Sequence, residues 1–214
     1  MFILDVNDTM LFSSGTTLKC EYAADVAQAL SYEFLRMGHA VGLMLLSDQV
    51  QYIKPEIGTN YYATIRHALM QKTAYGGAFS LPKAFPVLYS KLKPGSVIFI
   101  VSDFFNKDPN MENNLKVLSA QHDVVGICVR DPVEMRLQKG IGQVFISNYN
   151  KGESLFIDAN RRVIREHYEA EMKADCEKLM HEFRKRGSDV LFLETDKDFV
   201  KPVIMFFERL SRWK

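Results

Sequence analysis

Phe2-Ile3-Leu4-Asp5-Val6-Asn7-Asp8-Thr9-Met10 opens the chain with three apolar residues, an aspartate and a polar turn. Ser96-Val97-Ile98-Phe99-Ile100-Val101-Ser102-Asp103-Phe104 repeats that arrangement further along, again an apolar run that ends on an aspartate. An unbroken apolar run has no polar face to turn to water. It therefore reads as a strand buried on both sides, the mark of a parallel sheet covered by helices on each face.

Outward from these two runs, short apolar stretches alternate with helical patterns. Tyr22, Val26, Ala29, Leu30 and Phe34 recur at near-helical spacing and predict a helix over 19–37, which Gly38 ends. Residues 40–46 form a second strand. Residues 51–55 follow so closely, through Ser47-Asp48, that they return antiparallel as an edge strand. Helices are expected over 61–71 and 81–91; Pro82 suits a first turn, whereas Pro86 weakens or kinks the second helix. A helix over 115–120 and a strand over 124–129 come next. Residues 143–147 and 154–157 flank Asn148-Tyr149-Asn150-Lys151-Gly152, which reads as an inserted β-hairpin. A long charged helix over 160–186 ends at Gly187, followed by a strand over 190–193 and a helix over 200–212. The expected fold is a doubly wound, mostly parallel α/β sheet with one antiparallel edge strand and a small hairpin insertion, in a single domain spanning 1–214.

Composition narrows the function classes. The 214 residues are 47% hydrophobic and 25% charged with a net charge of +1, an ordinary globular balance without the basic footprint of nucleic-acid binding. Cys20, Cys128 and Cys176 are odd in number and lack metal-ligand spacing, so reduced thiols in a cytosolic setting are expected. The longest apolar runs, 40–46 and 97–101, fall far short of the ~20 residues of a membrane span, and no signal peptide is visible. His39, His67, His122, His167 and His181 share no ligand spacing, and Met205-Phe206-Phe207 reads as core packing.

Open parallel sheets bind ligands beyond the carboxyl ends of their strands, where the strand order reverses. Strands ending at Asp5 and Asp103, placed side by side there, would bring two carboxylates to one crevice, and a cation between them would be stabilised. Asn7, Thr9 and Ser102 add oxygens suited to a magnesium-like ion. The same letters also read structurally, with Asp5 opening an Asx turn and Asp103 capping the next helix. Both readings stand at this level. Asp131-Pro132-Val133-Glu134 lines the same side of a parallel sheet, and reads first as a turn that launches the hairpin.

Asp5-Val6-Asn7-Asp8-Thr9-Met10 resembles the Asp-x-Ser-x-Ser-Met signature of the metal ion-dependent adhesion site in von Willebrand factor A domains. Further segments resemble, in order, a bacterial A-domain family of unknown function encoded beside MoxR-type AAA+ ATPases. These are Lys19 opening a helix after Phe12-Ser13-Ser14-Gly15, then Gly42-Leu43-Met44-Leu45-Leu46-Ser47, Gly76-Gly77, Ser102-Asp103-Phe104 and Asp131-Pro132-Val133-Glu134. The resemblance implies a von Willebrand factor A-type fold and a non-enzymatic protein-interaction role with a MoxR-like AAA+ ATPase as partner. It also implies magnesium or manganese held by Asp5, Asn7, Thr9 and Asp103. The adhesion site is degenerate: Asn7 and Thr9 stand for its serines, and Ala78 for the threonine expected after the glycine pair. Family members carry membrane helices upstream, so this part belongs in the cytoplasm. The alternative is a haloacid dehalogenase-type phosphatase, whose Asp-x-Asp-x-Thr motif the same turn resembles, with Asp5 as nucleophile. Asn7 argues against it, because an amide cannot shuttle the proton that hydrolysis needs.

Overall fold

Side chains alternate along a strand, so an apolar run can feed two cores at once. The computed structural model describes residues 1–71, 73, 75–78, 81–105, 111–148 and 153–211. Its strands are β1 (Phe2–Asp5), β2 (Val41–Leu46), β3 (Val50–Glu56), β4 (Val97–Ser102), β5 (Asp123–Arg130), β6 (Gln143–Asn148), β7 (Glu153–Asp158) and β8 (Asp189–Glu194). Six of them form one sheet in the order β3-β2-β1-β4-β5-β8. Every neighbouring pair is parallel except β2 and β3, which puts the antiparallel strand at the edge, as expected.

The helices are α1 (Lys19–Arg36), α2 (Tyr62–Met70), α3 (Phe85–Lys91), α4 (Met111–Ser119), α5 (Pro132–Met135), α6 (Arg162–Arg184) and α7 (Val200–Ser211). Phe2, Leu4, Leu43, Leu45, Phe99 and Val101 pack on one face with residues of α1, α2 and α7. Phe99 stacks on both Phe2 and Phe34, with ring centroids 4.9 and 5.5 Å away, and the three rings form one cluster. The intervening residues Ile3, Met44, Leu46, Ile98 and Ile100 pack on the other face with Leu88, Leu115, Leu179 and Phe183 from α3, α4 and α6. Each large side chain buried in this way stabilises the fold by roughly 1.5–3 kcal/mol. The doubly wound α/β class follows directly from that two-faced burial.

Several boundaries differ from the sequence reading for local reasons. Pro86 is the second residue of α3, where its missing N–H costs nothing, and a 3-10 turn at Leu81–Ala84 precedes it. The helix expected over 81–91 is therefore divided. The one expected over 115–120 starts earlier, at Met111. Phe206 is buried as core, whereas Met205 is 59% exposed. The hairpin β6–β7 forms its own two-stranded sheet, and the tip of its turn, 149–152, lies outside the described residues. Among the described residues, no helix is long and apolar enough to cross a membrane.

The connections β1–β2–β3 run to one side of β1, and β4, β5 and β8 lie on the other. The strand order thus reverses between β1 and β4. A crevice belongs at their carboxyl ends.

Candidate functional site

Phe2 lies beside Phe99 and Leu4 beside Val101 in the parallel ladder of β1 and β4. One step further, the register brings Asp5 level with Ser102. Residues level on neighbouring strands share a face, and the Ser102 hydroxyl donates to Asp5 Oδ2 at 2.6 Å. Asp103 comes one residue later and follows the alternation of Phe99 and Val101 toward the α1 face. There its Oδ2 meets Lys19 Nζ at 2.7 Å. Asp5 and Asp103 thus lie at the ends of adjacent strands at the reversal, both fully buried and close enough for their charges to interact.

The turn after β1 is held by its own side chains. Asn7 N–H donates to Asp5 Oδ1 at 3.1 Å. Asn7 Oδ1 accepts from Thr9 N–H (2.8 Å), the Thr9 hydroxyl (2.7 Å) and Met10 N–H (3.2 Å), capping a 3-10 turn at Asp8–Leu11. The Asx-turn reading of Asp5 and the crevice reading describe the same atoms. Asp103 makes a similar turn, its Oδ1 accepting from Phe105 N–H at 3.0 Å; the helix-cap reading of Asp103 concerns 106–110, outside the described residues. Between them Phe104 has φ 53°, a left-handed conformation that costs a non-glycine residue about 1–2 kcal/mol. Its ring, buried against Phe183 at 5.7 Å, and its N–H bond to Ser102 Oγ offset that cost.

The glycine pair locks onto this turn. Gly76 N–H donates to the Val6 carbonyl, Asp8 N–H to the Gly77 carbonyl, and Gly77 N–H to Asp8 Oδ1. Both glycines have positive φ, 103° and 85°, which explains their type at this position. Ala78 is exposed just beyond them.

Burial and the neighbouring Asp103 charge push the Asp5 carboxyl up to about 8. The bonds from Ser102 and Asn7 and the Lys19 ammonium oppose that rise without cancelling it. Burial beside Asp103 therefore favours a proton, or another positive charge, on Asp5.

Two partners escaped the sequence reading. Lys19, read only as a helix opener, is fully buried and bridges Asp103 and Glu134, with Nζ 2.5 Å from Glu134 Oε1. The rings of Phe12 and Phe105 lie 5.8 and 5.3 Å from the same ammonium. Glu134 belongs to a capping box: Asp131 accepts from Val133 N–H, and Glu134 Oε2 from Asp131 N–H, both at 2.9 Å. Asp131 also takes both donors of Ser14, at 2.8 and 2.5 Å, and so anchors the loop that leads into α1. Asp131-x-x-Glu134 spacing was a readable cap signal. The signal at Lys19 was subtler, because a cation in the first helical turn opposes the helix dipole and needs acids to hold it there.

The lone pairs that remain decide what the crevice can hold. Asp5, Thr9, Ser102 and Asp103 each keep oxygen lone pairs after their internal bonds, which suits a hard divalent ion. Asn7 Oδ1 already accepts three donors, and its amide nitrogen is buried without a partner. A bare N–H faces an acceptor better than a cation. Asn7 shapes the turn through its three capping bonds.

A family model described as "Protein of unknown function DUF58" matches residues 1–189. No curated protein matches the chain. Among solved structures, the conserved hypothetical protein BatB from Bacteroides thetaiotaomicron is similar over 98% of this chain and 96% of that one, with a TM-score of 0.60 at 13% identity. An aerotolerance-related membrane protein from Bacteroides fragilis NCTC 9343 is similar over 80% of this chain and 86% of that one, with a TM-score of 0.51 at 14% identity. At these identities the likeness shows a shared fold.

Proposed function

The chain belongs to the DUF58 family of proteins of unknown function, and from that premise we propose that it is a protein-interaction module and not a catalyst. Its docking face is the rim of the sheet above Asp5, Asn7, Thr9 and Asp103. One observation carries this reading: Leu11, the last residue of the acid turn, and Phe12 just after it leave 40% and 41% of their surfaces in water. An apolar pair held in fixed geometry beside a charged centre is what a partner surface requires. The phosphatase reading finds no support, since Asn7 spends its only basic oxygen on capping bonds and offers no acid–base group.

The partner implied by the resemblance is a MoxR-like AAA+ ATPase, which the module would meet on the cytoplasmic side of a membrane-anchored assembly. Magnesium or manganese at the crevice would be held by Asp5, Thr9, Ser102 and Asp103, and would supply a positive centre for a partner's carboxylate. Calorimetric titration with Mn2+, repeated on Asp5→Ala, tests the ion; no saturable heat from the folded parent rejects it.

The docking face is tested by binding the full chain to a MoxR-like ATPase from the same genome. Saturable binding is expected, weakened about tenfold or more by the double substitution Leu11→Asp, Phe12→Asp at unchanged thermal stability. If the folded parent does not bind, that partner is wrong. If the double variant binds as well as the parent, the face is wrong.

A further inference from the structure

Lys19 is an unexpected tenant for the interior. Its side chain is fully buried at the start of α1, where the helix dipole disfavours positive charge. Burying a lysine costs several kcal/mol unless acids pair with it closely. Here two do, Asp103 and Glu134, and two aromatic rings complete the enclosure. The ammonium donates to the same carboxylate that closes the Asp5–Asp103 pair.

We infer that Lys19 is a tethered cation that shares Asp103 with any divalent ion and so sets how strongly this crevice depends on metal. The inference rests on the reading of Asp5 and Asp103 as a cation centre. The charges state the logic. Two carboxyls, Asp103 and Glu134, contact the one ammonium, and its charge also reaches the buried Asp5. That ammonium occupies an Asp103 oxygen and contributes positive charge, so it competes with an incoming ion for a ligand and repels it as well. Glu134 Oε2 is bonded to Asp131 N–H, which keeps Glu134 in place whichever cation is present. With the ammonium removed, Asp103 Oδ2 is freed and the acids lack a counter-charge. A divalent ion then meets a more negative site with one more open ligand, and ligand charge is what tunes the affinity of oxygen sites. In the parent chain the ammonium already supplies positive charge to Asp103 and Glu134.

The test uses the full chain as parent, Lys19→Met, which keeps the length and apolar stem, and Lys19→Arg, which keeps the charge. Mn2+ affinity is read by electron paramagnetic resonance of the free ion, and stability by thermal melting with and without Mn2+. The expectation for Lys19→Met is a lower melting temperature in chelator, recovery on adding Mn2+, and binding about tenfold tighter than the parent or more. Asp103→Asn in the same background should abolish that gain, and Lys19→Arg should bind no tighter than the parent. If Lys19→Met does not fold, Lys19→Gln, which removes the charge but leaves a neutral donor for Asp103, is expected to bind tighter than the parent by a smaller factor. Equal affinity in parent and neutral variants overturns the role of Lys19 while leaving the cation centre standing. No binding by the parent or by any folded neutral variant overturns both.

Discussion

Asn7 shows how much one side chain decides at the residue scale. As an N-cap its carbonyl satisfies three donors, and the turn it builds holds Thr9 beside Asp5, to which Ser102 of β4 donates. Asp5 bears the electrostatic consequence. Its folded value of about 8 lies above the ordinary 3.8, so the folded state holds a proton that the unfolded chain releases earlier as pH rises. The stability linked to Asp5 is fully present below about pH 4 and is lost progressively as pH rises to about 8. Asp5→Asn, which cannot ionise, should therefore lose less stability than the parent between about pH 5.5 and pH 8.5 in chelating buffer. Urea unfolding at the two pH values measures it. Equal losses in both proteins would mean that another group titrates.

At the scale of elements, the position of α6 depends on a missing side chain in β5. A Cβ on Gly126 would stand 2.9 Å from the Phe183 ring and 3.1 Å from Val190 Cγ2. Phe183 in turn supports Phe104, whose left-handed backbone turns the chain just after Asp103. Helix packing thus reaches the crevice through two rings. Gly126→Ala should destabilise the fold by about 1–3 kcal/mol through overpacking, read as a lower urea midpoint at unchanged slope. A change below about 0.5 kcal/mol would show that Phe183 moves aside freely. The docking of α1 obeys a different force. Its first residue is drawn in by Asp103 and Glu134, and Glu134 is presented by the four-residue helix α5.

Across the whole molecule, one six-stranded sheet carries both cores, and the β6–β7 hairpin stands outside it. Among the described residues the hairpin strands pair with each other and no other strand, and Phe145, Leu155 and Phe156 are largely exposed on them. Two strands alone are marginal in water, so the hairpin depends on the domain more than the domain on it. Replacing residues 144–157 with a short Gly-Ser turn leaves the bond from Ala159 N–H to the Gly142 carbonyl available to close the base. Melting should stay cooperative, with the midpoint within about 4 °C of the parent, which is the effect of roughly 1 kcal/mol in a domain of this size. A collapse of cooperativity would mean that the hairpin belongs to the core.

The sequence by itself determined the sheet, the antiparallel edge, the helices on both faces and the two strands that deliver Asp5 and Asp103 to their carboxyl ends. Those features are written in local periodicity: an apolar run such as Ile98–Val101 is buried on both faces, and Gly38 or Gly187 lets the chain turn out of a helix. Only the tertiary structure decided which charges meet. Lys19, Asp103 and Glu134 are far apart in the chain, and nothing local to any of them names the others. The same holds for Asn7, a ligand by motif and a cap by hydrogen bonding. Burial is a property of a segment, whereas the pairing of buried charge depends on which segments arrive together. That is why the fold was legible early, and the ammonium at the heart of the crevice was not.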